Sequence, residues 1–148
     1  MEKVSFKKVI RNDGYVISAL VSFVVFAIIL VVSLVIQYDI SELGTYLILG
    51  LSAGSFIVVV IRILLILSFK PDNRTYKAKI TKIFTYRSTK HITFEYTVDS
   101  SEYKKRNALL STKFSRNLCK DDEIEIYVSQ TNPAKALIKE AYFDSEVL

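Results

Sequence analysis

The chain has 148 residues, 51% of them hydrophobic, and a formal net charge of +5, with a positive mean hydropathy. That leaves room for two membrane-length apolar runs and one small domain. The lone cysteine, Cys119, excludes an intramolecular disulfide and any multi-cysteine metal site, and the charge is too mild for a nucleic-acid footprint.

Residues 1–14 form a basic lead, with Lys3, Lys7, Lys8 and Arg11 against Glu2 and Asp13, a net of +2. Val4, Phe6, Val9 and Ile10 suggest an amphipathic turn lying on a membrane surface. Residues 15–36 then contain no charge, and 16 of the 22 are Val, Ile, Leu or Phe. A bilayer core of about 30 Å needs about 20 such residues in a helix. A secretory signal has a shorter apolar region of about 7–15 residues and a small-residue cleavage site; this run leads into Gln37-Tyr38-Asp39 and has no such site.

Residues 37–42 are a polar link, and residues 43–69 a second apolar run with one charge, Arg62. The two runs predict a transmembrane helical hairpin over residues 15–69. Tyr15, Tyr38 and Tyr46 stand where aromatic rings settle into headgroups. Lysines and arginines cluster outside the open end, at Lys7, Lys8 and Arg11 and again at Lys70, Arg74, Lys77 and Lys79, whereas the link carries Asp39 and Glu42. The positive-inside rule then puts both termini in the cytoplasm and the link outside. Asn73-Arg74-Thr75 matches a glycosylation acceptor, which carries no meaning on the cytoplasmic side.

Arg62, an intramembrane charge, lies eight residues before Lys70, about 12 Å along a helix, within reach of snorkelling. Neither run offers it an acidic partner, so snorkelling is the first reading and an ion path or binding site the second. Gly50 and Gly54 form a G-x-x-x-G, read first as packing against Ser18, Ala19 and Ser22 within the hairpin and second as self-association.

Residues 70–148 change to alternating periodicity, with 15 basic and 11 acidic residues. Tyr76, Ala78 and Ile80 alternate, and Ile83, Phe84 and Tyr86 then suggest a bulge or a bend. Residues 91–98 are the clearest strand, with Ile92, Phe94, Tyr96 and Val98 on one face and His91, Thr93, Glu95 and Thr97 on the other. Asp99-Ser100-Ser101-Glu102 reads as a turn, residues 103–110 as its hairpin partner, and residues 111–120 as irregular with a short helix. Residues 123–129 alternate again, Ile124, Ile126 and Val128 inward and Glu123, Glu125 and Tyr127 outward. After Gln130-Thr131-Asn132-Pro133 a short last strand covers residues 134–138. The expectation is a small antiparallel β sheet or barrel, marginal alone and leaning on the second helix.

The strand Glu123-Ile124-Glu125-Ile126-Tyr127, the Asn132-Pro133 corner and Ala136-Leu137-Ile138 resemble the close of β domains in bacterial small membrane proteins classed as domains of unknown function. The likeness spans roughly residues 75–138. It implies a β fold rather than an activity.

No catalytic constellation is legible. His91 reads as a lone surface histidine and Cys119, beside Lys120, as an idle thiol without a histidine partner. Asp121-Asp122-Glu123 with Glu125 has no glycine for a cation loop and reads as a charged turn and solvated strand face. The four glycines lie in or beside the hairpin, so no phosphate-cradling Gly-rich loop is expected. Lys104-Lys105-Arg106 is the one dense basic run, a solvated edge or a contact with anionic lipid.

These features predict an α+β protein of the cell membrane, with a transmembrane hairpin and a cytoplasmic β domain, non-catalytic and without cofactor. The domain is expected to bind a membrane-protein partner or a second copy at the inner leaflet, as an accessory subunit or an immunity-type protein. A holin-like pore former is the alternative, disfavoured by so large a structured tail.

Overall fold

In the computed structural model, which describes residues 3–35 and 41–144, the apolar runs are helices α2 (Gly14–Val35) and α3 (Glu42–Leu67). At 1.5 Å per residue they are about 33 and 39 Å long, and both are long and apolar enough to cross a membrane. The centre of the link, with Tyr38 and Asp39, lies outside the described residues. Ser41 starts α3 as its N-cap, its hydroxyl accepting from the Gly44 amide at 3.3 Å. The two helices pack antiparallel: Arg62 meets Asp13, and Phe56 meets Phe23 at 5.5 Å between ring centres.

The buried and half-buried positions of α2 include Val16, Ala19, Phe23, Phe26 and Leu30, and those of α3 include Thr45, Ile48, Ser52, Ser55, Val59, Arg62 and Ile66. Steps alternating between three and four residues trace a left-handed knobs-into-holes seam. Thr45, Ser52 and Ser55 supply the small surfaces that this close approach needs. Gly50 and Gly54 each fall two residues past a seam position, and a Cβ built on either meets nothing within 4 Å. The expected role of the G-x-x-x-G inside the hairpin is therefore corrected: the pair faces outward.

Downstream, β1 (Pro71–Tyr86), β2 (Thr89–Val98), β3 (Ser101–Leu110), β4 (Glu123–Ser129) and β5 (Ala136–Ile138) form one antiparallel half-barrel sheet in the order β3-β2-β1-β4-β5. Strand β1 pairs with β4 through its first half and with β2 through its second, and the register shifts between Ile80 and Lys82. That bulge, foreshadowed by Ile83 and Phe84 breaking the alternation, bends the strand and curls the sheet. Asp99 and Ser100 have φ of 48° and 66°, the left-handed pair of a tight hairpin turn, so the turn is two residues long and Ser101 already belongs to β3. Ile92, Phe94, Tyr96 and Val98 are buried on one face as the alternation requires, joined by Ala78, Ile80, Ile124, Ile126 and Val128. The short helix α4 (Lys113–Asn117) begins with a Thr112–Ser115 capping box, and the Lys90 ammonium donates to the carbonyls of Ser115 and Leu118 at its end.

Two departures from the sequence expectation have a common cause. The N-terminal lead is not a surface turn: it forms helix α1 (Phe6–Asn12), and Val9 is fully buried in the core of the C-terminal unit. Tyr127, expected outward, is also buried. Both are covered by the end of the chain, where helix α5 (Lys139–Tyr142) and Phe143 fold back. Phe143 packs 4.6 Å from the Tyr127 ring and forms a β-bridge with Val4. The Ser5 amide donates to Tyr142, the Asn12 side chain to Ala141 and the Lys8 ammonium to Phe143. The two ends of the chain thus close the domain together.

Candidate functional site

Asp13 sits where hairpin and β domain meet. Its backbone is extended (φ −76°, ψ 114°), which ends α1 and begins α2, and it bridges to Leu109 on β3. Its Oδ1 accepts from the amides of Tyr15 and Val16 at 3.1 and 3.0 Å, an N-cap on α2. Its Oδ2 accepts from Arg62 Nη2 of α3 at 3.1 Å and from the Tyr142 hydroxyl of α5 at 2.9 Å. The carboxylate is fully buried, and all four donors are aimed at it. A buried charge persists only when satisfied in this way. Gly14 follows because only a glycine fits: a Cβ there would stand 2.6 Å from the Thr89 methyl.

Arg62 therefore has an acidic partner that neither apolar run contains, one that lies two residues before the first. Its guanidinium also lies over the Tyr15 ring, 5.3 Å from the centroid, while its Nε is buried without a partner. Burial, the Asp13 charge and the hydrogen bond to it hold the Tyr142 hydroxyl well above its ordinary pKa. The tyrosine is thus a neutral donor across the physiological range.

Beside this node lies a cleft of about 230 Å³ between the C-terminal end of α3 and the edges of β3 and β5, lined by Arg62, Lys105, Asn107, Lys135 and the apolar Leu65, Ile66, Phe69 and Leu137 among others. The basic run of β3 is split by the pleat of the strand. Lys105 faces the interior, opposite Phe94, while Lys104 is on the other face and pairs with Glu95 at 2.8 Å. Arg106 is exposed between the cleft and a groove on the outer face lined by Lys82, Phe84 and His91.

His91 is half-buried rather than a solvated surface residue. It stacks on Phe84 at 6.2 Å and meets the edge of Tyr15 at 6.1 Å, with Nδ1 buried and unpartnered. Burial first, and the Arg106 charge second, push its pKa down. The acidic cluster is dispersed into separate partnerships: Asp121 with Lys79, Glu123 with Lys77, Glu125 with Lys139, and Asp122 capping the Cys119 amide. Cys119 is exposed. Among the described residues, no three His, Cys, Asp or Glu side chains converge as a metal site.

Asp13, Tyr142, Asn107 and Lys135 are absent from the sequence-level candidates. The one available signal was Asp13 immediately before an apolar helical run, where a carboxylate serves as N-cap. No family model, curated protein or solved structure matches the chain.

Proposed function

We propose that this chain is a non-catalytic, two-span protein of the cell membrane whose β domain is a protein-binding module held at the inner leaflet, in the manner of an accessory subunit or an immunity-type protein. The observation that carries the reading is an asymmetry. Only 6% of the apolar core of either helix is buried within the chain, so the hairpin presents apolar surface along its length and calls for lipid around it. At one end alone it is tied to a folded, cationic unit through Asp13. Lys7, Arg11, Lys70, Arg74, Lys77 and Lys79 are exposed at that end, which supports a cytoplasmic placement.

Cys119, exposed and single, is the probe for orientation. A membrane-impermeant maleimide should leave it unlabelled in intact cells and label it after permeabilisation. Labelling from outside would overturn the cytoplasmic placement. For the function itself, crosslinking of the full chain in its native membrane should capture a discrete partner or a second copy. Loss of membrane potential at ordinary expression, with no such species, would favour a pore former instead.

A further inference from the structure

We propose that the cleft between α3 and the open edges of β3 and β5 binds a phosphate-bearing anion, supplied by the headgroup of an acidic phospholipid. Asn107 lines the cleft, is 3% exposed, and its side-chain amide donor has no partner. Arg62 Nε, on the α3 side of the same cleft, is likewise buried and unpaired. Buried donors without acceptors are rare in folded chains and mark a missing partner, and here both belong to residues that line one cleft. Lys105 and Lys135 add two charges that enter no ion pair among the described residues. Among the described residues no carboxylate lines the cleft, and Asp13, just behind it, already accepts from four donors. The missing partner is therefore an acceptor and an anion. Phosphate oxygens suit a convergent arginine, lysine and amide set.

The apolar side of the cleft selects the source. Leu65, exposed on α3, lines the cleft together with Ile66 and Phe69, so a ligand with its phosphate at Lys105 has an apolar path along the helix for its tail. The space is smaller than the roughly 300–1,000 Å³ of pockets that enclose a whole drug-sized ligand; it suits a headgroup. That source rests on the membrane placement proposed above, whereas the anion chemistry does not.

The test uses the full chain in non-ionic detergent, titrated with dioleoylphosphatidylglycerol or dioleoylphosphatidylcholine, and separately with inorganic phosphate and glycerol phosphate. Bound copies are counted by native mass spectrometry and protection by thermal shift. The glycerol lipid should bind in preference to the choline lipid. Lys105→Gln with Lys135→Gln should weaken it about 25-fold, at about fivefold per lysine near a lipid surface. Lys77→Gln with Lys79→Gln removes equal charge from β1 and should leave binding near that of the parent. Asn107→Asp, almost isosteric, should repel the anion and gives a second measure should the lysine pair disturb folding. Equal losses in the two lysine pairs, or no preference among lipids together with no effect of phosphate, overturns the site. Protection by glycerol phosphate alone, lost in the cleft variants, supports the anion site and overturns the lipid source. Outside labelling of Cys119 would overturn the orientation without altering binding in detergent, so the two failures are distinguishable.

Discussion

Replacing Asp13 with alanine removes three interactions at once, and the structure lets each be weighed. Loss of the N-cap on α2 costs about 1 kcal/mol. The Tyr142 hydroxyl is buried and loses a charged acceptor, about 1.5–3 kcal/mol. The Arg62 ion pair adds less, because that side chain is 33% exposed and regains solvent contacts, on the order of 0–1 kcal/mol. The contributions share one carboxylate and are not additive. A total of about 3–5 kcal/mol is in line with breaking a buried pair from one side. For a chain of this size that lowers Tm by roughly 10 °C, at about 2–4 °C per kcal/mol. Asp13→Asn keeps a good N-cap and a hydrogen-bond acceptor while removing the charge, so it should lie between parent and alanine.

The assay is thermal unfolding of the full chain in mild detergent, followed by near-ultraviolet circular dichroism of its nine tyrosines, which no tryptophan obscures. That signal reports packing of the β unit even where the hairpin stays helical. A double-mutant cycle with Arg62→Met isolates the ion pair from the cap. An Asp13→Ala protein melting within about 2 °C of the parent, less than about 1 kcal/mol at this size, would refute the reasoning.

Gly50→Leu and Gly54→Leu should leave the stability of the monomeric hairpin unchanged, since their added atoms point into open space; a lower Tm at micromolar dilution in detergent would mean that the seam has been misassigned. His91 has its pKa lowered, first by burial and then by Arg106, so it favours the fold fully above its unfolded value of about 6.5 and loses that contribution as pH falls. Tm should therefore begin to fall as pH drops below about 6.5, before the ordinary carboxylate range is reached, and His91→Gln should flatten the slope; the same slope in the variant would assign it to another group. Phe94→Asp puts an unpaired charge at a position with no solvent exposure, a penalty of several kcal/mol against a small domain's whole stability. That protein should still reach the membrane fraction yet lose its near-ultraviolet signal and any crosslinked partner, and a retained signal would place Phe94 outside the core.

What was legible in the sequence was what repeats along a single element. Alternation from Ile92 to Val98 set a strand and its inward face, and the break at Ile83 and Phe84 marked the bulge. Apolar length marked both helices. What was not legible arises between elements distant in sequence. Asp13 and Arg62 are 49 residues apart, and Asp13 and Tyr142 are 129 apart; no periodicity spans such gaps. Tyr127 alternates outward correctly and is buried only because a four-residue helix, too short to show a period, folds over it. His91 is half-buried for a related reason: Tyr15, at the start of α2, stands against it. The Gly50–Gly54 spacing was visible, but which side of a helix meets its neighbour depends on the seam, and Ser52 and Ser55 carry that seam.

The boundary near residue 70 is therefore a change of periodicity and not a boundary of stability. Residues before it supply α1, whose Val9 is fully buried in the β unit's core, and Asp13, which caps the first long helix and pairs with the second. Residues after it supply Tyr142, without which that carboxylate keeps only three of its four donors. An arginine inside an apolar helix costs less near an end than at the centre, where insertion scales give about 2.5–3.5 kcal/mol, and less again when an acid is held rigidly against it. Each half thus lowers the cost of the other's buried charge. A hairpin cut free of its domain would keep Arg62 and Asp13 but lose the packing of α5 that holds Asp13 in place. The arrangement favours a single cooperative unit over an anchor with a passenger.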